Sequence, residues 1–203
     1  RIILLAGETE ASFLAAELKS HDPSLQVDSA NDRETLNALI PSLETHTRLI
    51  SFCSSVIVPA EVLARFGSGT YNFHPGPPEY PGRYPSVFAI YNGAERFGVT
   101  VHEMTAAVDA GPIITADWFN LAENCELEQV EEQAYSSLIR IYTRLAPLLV
   151  RLDRRLTRMP YRWSGRKTKK SDVEALCCIT PGMSADEMER RRRACGAFLK
   201  DGA

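Results

Sequence analysis

Arg1-Ile2-Ile3-Leu4-Leu5-Ala6-Gly7 opens the chain as one compact apolar run, and the period of the sequence changes as soon as the glycine is passed. A short unbroken apolar run stopped by glycine suits a strand buried on both faces. Glu10 to Ser20 then places Phe13, Leu14 and Leu18 at helical spacing. Leu25-Gln26-Val27 is a second, weaker strand. Asn31 or Asp32 can cap a helix whose apolar face is Leu36, Leu39 and Ile40 and which Pro41 closes. Leu49-Ile50-Ser51-Phe52 reads as another buried strand, and Pro59 suits the first turn of a helix through Leu63 and Phe66. Strands that alternate with helices predict an α/β fold with a doubly wound, mostly parallel sheet.

Further along, a helix is expected from about Pro85 to Asn92, a strand from Phe97 to Met104 and another near Ile113 to Phe119. Leu127, Val130, Ala134, Leu138, Ile141, Leu145, Leu148 and Leu152 then step by three or four, the stripe of a long helix that packs on the sheet and that Pro147 kinks or ends. Beyond Pro160 the composition changes. Tyr161 to Lys170 is basic and polar, a loop or short hairpin, and Ser184 with Glu187 forms a capping box for a helix through Arg193. Residues 1–155 are expected to form one domain and 156–203 a short C-terminal extension.

The chemistry concentrates in Asn72-Phe73-His74 and in Asp109-Ala110-Gly111-Pro112. Thr70 to Phe73 reads as the end of a strand, where residues two apart point the same way, so Asn72 and His74 can meet one carbonyl. A carboxamide, an imidazole and a carboxylate suit acyl chemistry in which an oxygen gains negative charge and an amine loses a proton. From His74 to Arg83 four prolines and two glycines forbid regular structure and fix a stiff loop, a natural site wall. Taken singly, each of the three polar residues is an ordinary strand end or turn former. Convergence at strand ends is what makes them a site. His102, within a strand, reads as structural or pocket-lining.

The whole chain bounds these readings. At 203 residues and 44% apolar it can bury a full core, and no stretch approaches a membrane span or a signal-peptide pattern. Cys53, Cys125, Cys177, Cys178 and Cys195 are odd in number and lack zinc or disulfide spacing, so reduced thiols and no metal are expected. The net charge of −3 divides unevenly: residues 1–139 carry 7 Lys and Arg against 19 Asp and Glu, and residues 140–203 carry 16 against 7. A basic tail on an acidic domain implies an anionic partner or mutual attraction of the two segments.

Asn72-x-His74-Pro75-Gly76, Tyr80-x-Gly82-Arg83, Gly98-Val99-Thr100-Val101-His102 and Val108-Asp109-Ala110-Gly111-Pro112-Ile113-Ile114 together resemble the formyltransferase domain that uses 10-formyltetrahydrofolate, over about residues 48 to 120. That family includes methionyl-tRNA formyltransferase, glycinamide ribonucleotide transformylase and the sugar N-formyltransferases. The resemblance implies a Rossmann-like formyltransferase fold and a folate-dependent enzyme, and the lack of an export pattern with unpaired thiols makes the cytoplasm the expected compartment. The resemblance also implies an Asn72 that donates to the charged oxygen, a His74 that moves the proton of the amine, and an Asp109 that holds the imidazole directly or through a water. Folate would lie on backbone groups of Phe52, Cys53, Ser54, Ser55, Val56 and Ile57 and of Thr105, Ala106, Ala107 and Val108. Pro75, Gly76, Tyr80 and Arg83 would face the acceptor.

Departures from the pattern narrow the acceptor. Gly7-Glu8-Thr9-Glu10 stands where the ribonucleotide enzyme has a phosphate loop, and its carboxylates would repel phosphate. His74-Pro75-Gly76-Pro77 and a short N-terminal portion resemble the formyltransferase-like half of a hydrogenase maturation protein. A small-molecule amine, such as an amino sugar or amino-acid derivative, is the expected acceptor. Transfer to tRNA, hydrolysis of formylfolate and a non-catalytic folate-binding module stay as alternatives. A membrane partner is not expected, and the oligomeric state is left open, a homodimer included.

Overall fold

The computed structural model describes residues 1–201. Their main element is a six-stranded sheet in the order β2-β1-β3-β4-β5-β6, built from β1 (Ile2–Leu5), β2 (Val27–Ala30), β3 (Arg48–Phe52), β4 (Thr70–His74), β5 (Arg96–Glu103) and β6 (Ile113–Asn120). The first four strands run parallel, each linked to the next through helix: α1 (Glu8–His21), α2 (Arg33–Leu39) and the single turn α3 (Ala60–Leu63). β5 reverses direction and pairs antiparallel with β4. The helices that follow are α4 (Pro85–Tyr91), α5 (Leu127–Leu149), α6 (Lys170–Leu176) and α7 (Ala185–Cys195), and β7 (Cys178–Ile179) pairs with β8 (Lys200–Asp201). Among the described residues no helix is long and apolar enough to cross a membrane.

Two compact units divide these elements: residues 1–74, 100–115 and 138–161 form one, and 75–99, 116–137 and 162–201 form the other. In the first unit β1 and β3 are buried along their whole length, as expected for inner strands of a parallel sheet. Ile3, Leu5, Leu49, Leu36 and Phe66 pack on one side. Elsewhere in the core Phe52, Phe73 and Tyr142 stack at centroid distances of 5.3 to 6.1 Å. Tyr142 Oη donates to the Leu14 carbonyl at 3.0 Å, which satisfies the only polar atom that this aromatic group brings inside. Asp32 caps α2 as read, its carboxylate accepting from Thr35 N at 2.8 Å.

Arg48 is the largest of the polar residues inside the core, and its side chain is fully buried. Its guanidinium donates to the carbonyls of Ser68, Leu148, Leu149, Arg151 and Arg154. The last four belong to the end of α5 and the turn beyond it, where helix carbonyls lack partners and carry the negative end of the dipole. Pro147 lies inside the last turn, and α5 ends two residues later with Arg48 closing it.

In the second unit the proline loop is strapped from outside. Ser164 N donates to Pro78 O at 3.1 Å, Thr168 N to Pro81 O at 3.0 Å, and Arg83 N to Thr168 O at 3.0 Å. The strap lies flat because Gly165 and Gly82 have no side chains: a Cβ at Gly165 would come within 1.6 Å of Glu79 O. The basic segment is therefore a strap without a hairpin of its own. The helix α6 that follows was not expected, and the helix read through Arg193 runs to Cys195. Ser184 caps it by accepting from Glu187 N at 3.2 Å, but the Glu187 carboxylate bonds Tyr91 and Arg191 instead of closing a capping box.

The cysteine expectation is corrected here. Cys177, at the C-cap of α6, and Cys195, at the end of α7, form a disulfide across 18 residues, while Cys53, Cys125 and Cys178 are free. Linear spacing gives no sign of this pair, because the short strand β7, a turn and helix α7 return the chain to its starting point.

Candidate active site

Asn72 and His74 sit at the carboxyl end of β4, two residues apart on one face. The antiparallel register sets Asn72 opposite His102 and His74 opposite Thr100, so His102 shares the face of Asn72. Beyond β5 the chain turns back sharply: Met104 N bonds Thr70 O at 2.9 Å, and Glu103 N bonds Pro112 O at 2.9 Å. Gly111 permits that return, since a Cβ there would lie 1.9 Å from Glu103 O. Asp109 occupies the turn with φ +44°, a left-handed conformation that Asp tolerates better than most residues.

This turn brings the carboxylate to both imidazoles. Asp109 Oδ2 lies 3.6 Å from His74 Nδ1, and Asp109 Oδ1 lies 3.2 Å from His102 Nε2. His102 Nε2 also meets Asn72 Nδ2 at 3.2 Å, and His102 Nδ1 meets the Glu103 carbonyl at 2.8 Å. His74, His102 and Asp109 are each at most 5% exposed, and Asn72 is half-buried. The structure thus brings Asn72, His74 and Asp109 into one cluster and adds His102, which the sequence reads as structural or pocket-lining. The signal that would have found it is the antiparallel pairing of β4 and β5: once their directions oppose, position 102 faces position 72.

The residues expected to hold folate are placed unevenly. Thr105 and Ala106 line an open cleft of about 260 Å³ in the first unit, together with Ala60, Leu63, Ala64, Phe66, Gly69, Thr70, Glu103, Met104 and Arg155. Thr105 Oγ1 donates to Ala107 O at 2.9 Å, which braces the loop, and Val108 is 40% exposed. Phe52 is interior, its ring among Phe73 and Tyr142, so any contact from it would be through its backbone. Cys53 adopts φ +50° and Ser54 Oγ accepts from Val56 N at 3.2 Å, forming a tight turn through Ser55. Val56 packs against the core, and Ile57 stands exposed. The α3 side of the cleft, Ala60, Leu63 and Ala64, was missed because its apolar positions read as ordinary core. Desolvation first, and Glu10 second, push the Cys53 thiol up to about 12, although the residue itself is exposed to solvent.

Pro75, Gly76, Tyr80 and Arg83 belong to the second unit. Gly76 is buried, Tyr80 N closes a turn on Pro77 O at 2.9 Å, the Tyr80 ring lies 6.3 Å from that of Phe97, and Arg83 is exposed beside the strap.

Comparison with known proteins agrees with this architecture. Methionyl-tRNA formyltransferase of Thermotoga maritima is 32% identical over 119 residues, 56% of this chain and 37% of that protein, so the chain spans little more than a third of the length of this curated relative. Among solved structures, a sugar N-formyltransferase from Shewanella superposes with a TM-score of 0.79 at 20% identity, covering 95% of this chain and 86% of the other. The formyltransferase PseJ from Anoxybacillus kamchatkensis, solved with UDP-4,6-dideoxy-4-formamido-L-AltNAc and tetrahydrofolate, gives 0.70 at 24% identity, covering 89% of this chain and 92% of the other. The family model described as Formyl transferase matches residues 7–144, more than half of the sequence, and the chain belongs to that family.

Proposed function

We propose that the protein moves a formyl group from 10-formyltetrahydrofolate to the amine of a small molecule, with an amino sugar as the favoured acceptor. The observation that carries this reading is the meeting of Asn72, His74 and Asp109 at the end of β4, in the unit that also holds the cleft. The cleft takes Thr105 and Ala106 of the expected folate loop into its lining, and Asn72, His74 and Asp109 stand outside that lining. The folate, when bound, supplies the formyl carbon and its carbonyl oxygen.

These roles are assigned from residue type and placement. Asn72 donates amide hydrogens to the carbonyl oxygen as it gains negative charge. His74 accepts the proton that the amine loses and can return one to the departing nitrogen. Asp109, close to Nδ1 of His74, orients that ring and stabilises it while it is charged. Pro75, Gly76, Tyr80 and Arg83 directly follow His74 in the chain and are assigned to the acceptor. Removal of one oxyanion donor typically lowers the rate about 10²- to 10³-fold. Asn72→Ala, His74→Ala and Asp109→Ala should each do so while circular dichroism stays unchanged. Retention of wild-type rates in any two defeats the assignment.

Incubation with 10-formyltetrahydrofolate, with and without amino sugars, tests the reaction itself. Amine-dependent release of tetrahydrofolate supports transfer; amine-independent release means a hydrolase, and saturable binding without release a folate module. A second acceptor, methionyl-tRNA, is kept because the 32% identical relative bears that name. The cytoplasm is the proposed compartment, and the Cys177–Cys195 disulfide makes it testable: alkylation at the moment of cell lysis reports whether the pair is oxidised there. A homodimer is the proposed assembly, to be read from light scattering.

A further inference from the structure

Thr168 is the point at which the strap is clamped to the proline loop. Its N–H donates to Pro81 O at 3.0 Å, its carbonyl accepts from Arg83 N at 3.0 Å, and its Oγ1 donates to Arg83 O at 2.7 Å. The Thr168 side chain is thereby turned toward the loop. Lys167 and Lys169 flank it, and the two neighbours of one position in an extended stretch share its opposite side; Lys169 has φ −119° and ψ 168°. Both lysines and Arg83 are exposed. Three cationic side chains are thus carried on one clamped piece of backbone within the second unit.

Among the described residues no carboxylate pairs with any of the three, and the acids nearest in the chain are taken by other groups. Asp172 accepts from Arg166 at 3.1 Å and from Lys169 N at 2.7 Å, Glu174 pairs with Lys170 at 3.6 Å, and Glu79 accepts from Arg96 and Trp118. Like charges at neighbouring positions repel, and here backbone bonds hold them there without a counter-charge from the chain. An anion supplies what is missing. Ammonium groups meet phosphate oxygens as point charges and a guanidinium meets them with a fork, and a frame already fixed leaves less to order on binding. The size of the cluster separates one anion from another. A polynucleotide is held by many phosphates along a track, whereas Arg190, Arg191, Arg192 and Arg193 are bonded within the chain and do not extend the cluster into a stripe. We propose that Arg83, Lys167 and Lys169 form a pyrophosphate-binding face, through which the protein takes its amine acceptor as a diphosphate-linked molecule in preference to a free amino sugar. The acceptor half of this statement rests on the formyl-transfer reading; the pyrophosphate half does not.

Calorimetric titration of the full chain with inorganic pyrophosphate tests the face without any turnover. Binding should saturate at one site and weaken as salt rises. Lys167→Gln combined with Lys169→Gln should weaken it at least about tenfold. Lys19→Gln combined with Arg65→Gln takes the same charge from exposed positions of the first unit and should leave it unchanged. No saturable binding, or equal losses in the two double variants, overturns the site. An RNA hairpin that binds more tightly than pyrophosphate, with a salt slope of many phosphates, puts a polynucleotide in its place and overturns the proposal as well. Kinetics with 10-formyltetrahydrofolate test the acceptor. The lysine double variant should raise KM about tenfold for a nucleoside-diphosphate-linked amino sugar at nearly constant kcat, and leave the same amino sugar without the diphosphate unaffected. A fall in kcat with both acceptors assigns the lysines to structure alone and overturns their binding role. If the wild type formylates no amine, the formyl-transfer reading falls, while the pyrophosphate titration still decides the site.

Discussion

Arg48 and Arg191 close helix ends in two regions that are held together by different forces. Arg48 reaches the carbonyls beyond α5 from inside a thick apolar core, where β1, β3, Phe52, Phe73 and Tyr142 exclude water. Arg191 reaches the carbonyls of Ala175, Leu176 and Cys178 at 2.9 to 3.3 Å from α7, where few residues are buried: Val173, Leu176, Cys177, Ala194 and Cys195. That second region relies on one covalent bond and on charge: the disulfide, Glu187 bonded to Arg191 and Tyr91, and Arg190 stacked 4.0 Å above the Tyr91 ring. The first region answers to packing, the second to redox state and pH.

The four arginines 190–193 show how this works within one helix. Successive residues turn by about 100°, so Arg190 meets Tyr91, Arg191 caps α6, Arg192 pairs with Glu189 and Arg193 bonds Glu123 O and Asn124 Oδ1. A run that looks like an anion-binding patch is thus largely occupied by its own chain.

The contrast between the regions can be broken at Arg48. Arg48→Met removes a buried charge together with the partner of five carbonyls, and a loss of about 3–5 kcal/mol is expected in urea unfolding. An effect under about 1 kcal/mol would mean that water replaces the guanidinium and that the core is less dry than its packing indicates. Next in size, Cys177→Ser with Cys195→Ser, or reduction, should destabilise the second unit by roughly 3 kcal/mol, as closure of a short loop predicts. Hydrogen exchange should speed in α6 and α7 and stay slow in β1 and β3. Ser184→Ala should cost about 1 kcal/mol through the lost cap of α7, read by the same exchange.

Acid gives the smallest effect. Arg191 first, and Tyr91 second, hold the Glu187 carboxyl below its usual 4.5. A group with a depressed folded value stabilises above the unfolded value and loses that contribution as pH falls through the folded one. Protection of α7 amides, taken relative to the intrinsic exchange rate at each pH, should therefore fall below about pH 4.5 before that of the sheet strands.

The sequence made the parallel half of the fold readable because β1, α1, α2 and β3 each carry one strong period and clear punctuation. It was weaker wherever pairing direction mattered. Nothing in Phe97 to Met104 shows that β5 runs antiparallel to β4, and with that direction unknown His102 had no reason to join Asn72. Helix α6 was invisible for a different reason: among Lys170–Leu176 only Val173 and Leu176 are apolar and buried, too few for a period. Asn72, His74 and Asp109 stood out by residue type and spacing. The cleft did not, because Ala60, Leu63 and Met104 resemble any other core residues until the loops around them are placed.

Gly111 turns the placement of Asp109 into a mutational signature. A side chain there meets the Glu103 carbonyl at 1.9 Å, so the turn has to open and carry its carboxylate away from both imidazoles. A library randomised at 111 and selected for turnover should return glycine alone, the tolerance profile of a reacting group at a position that has no side chain to react.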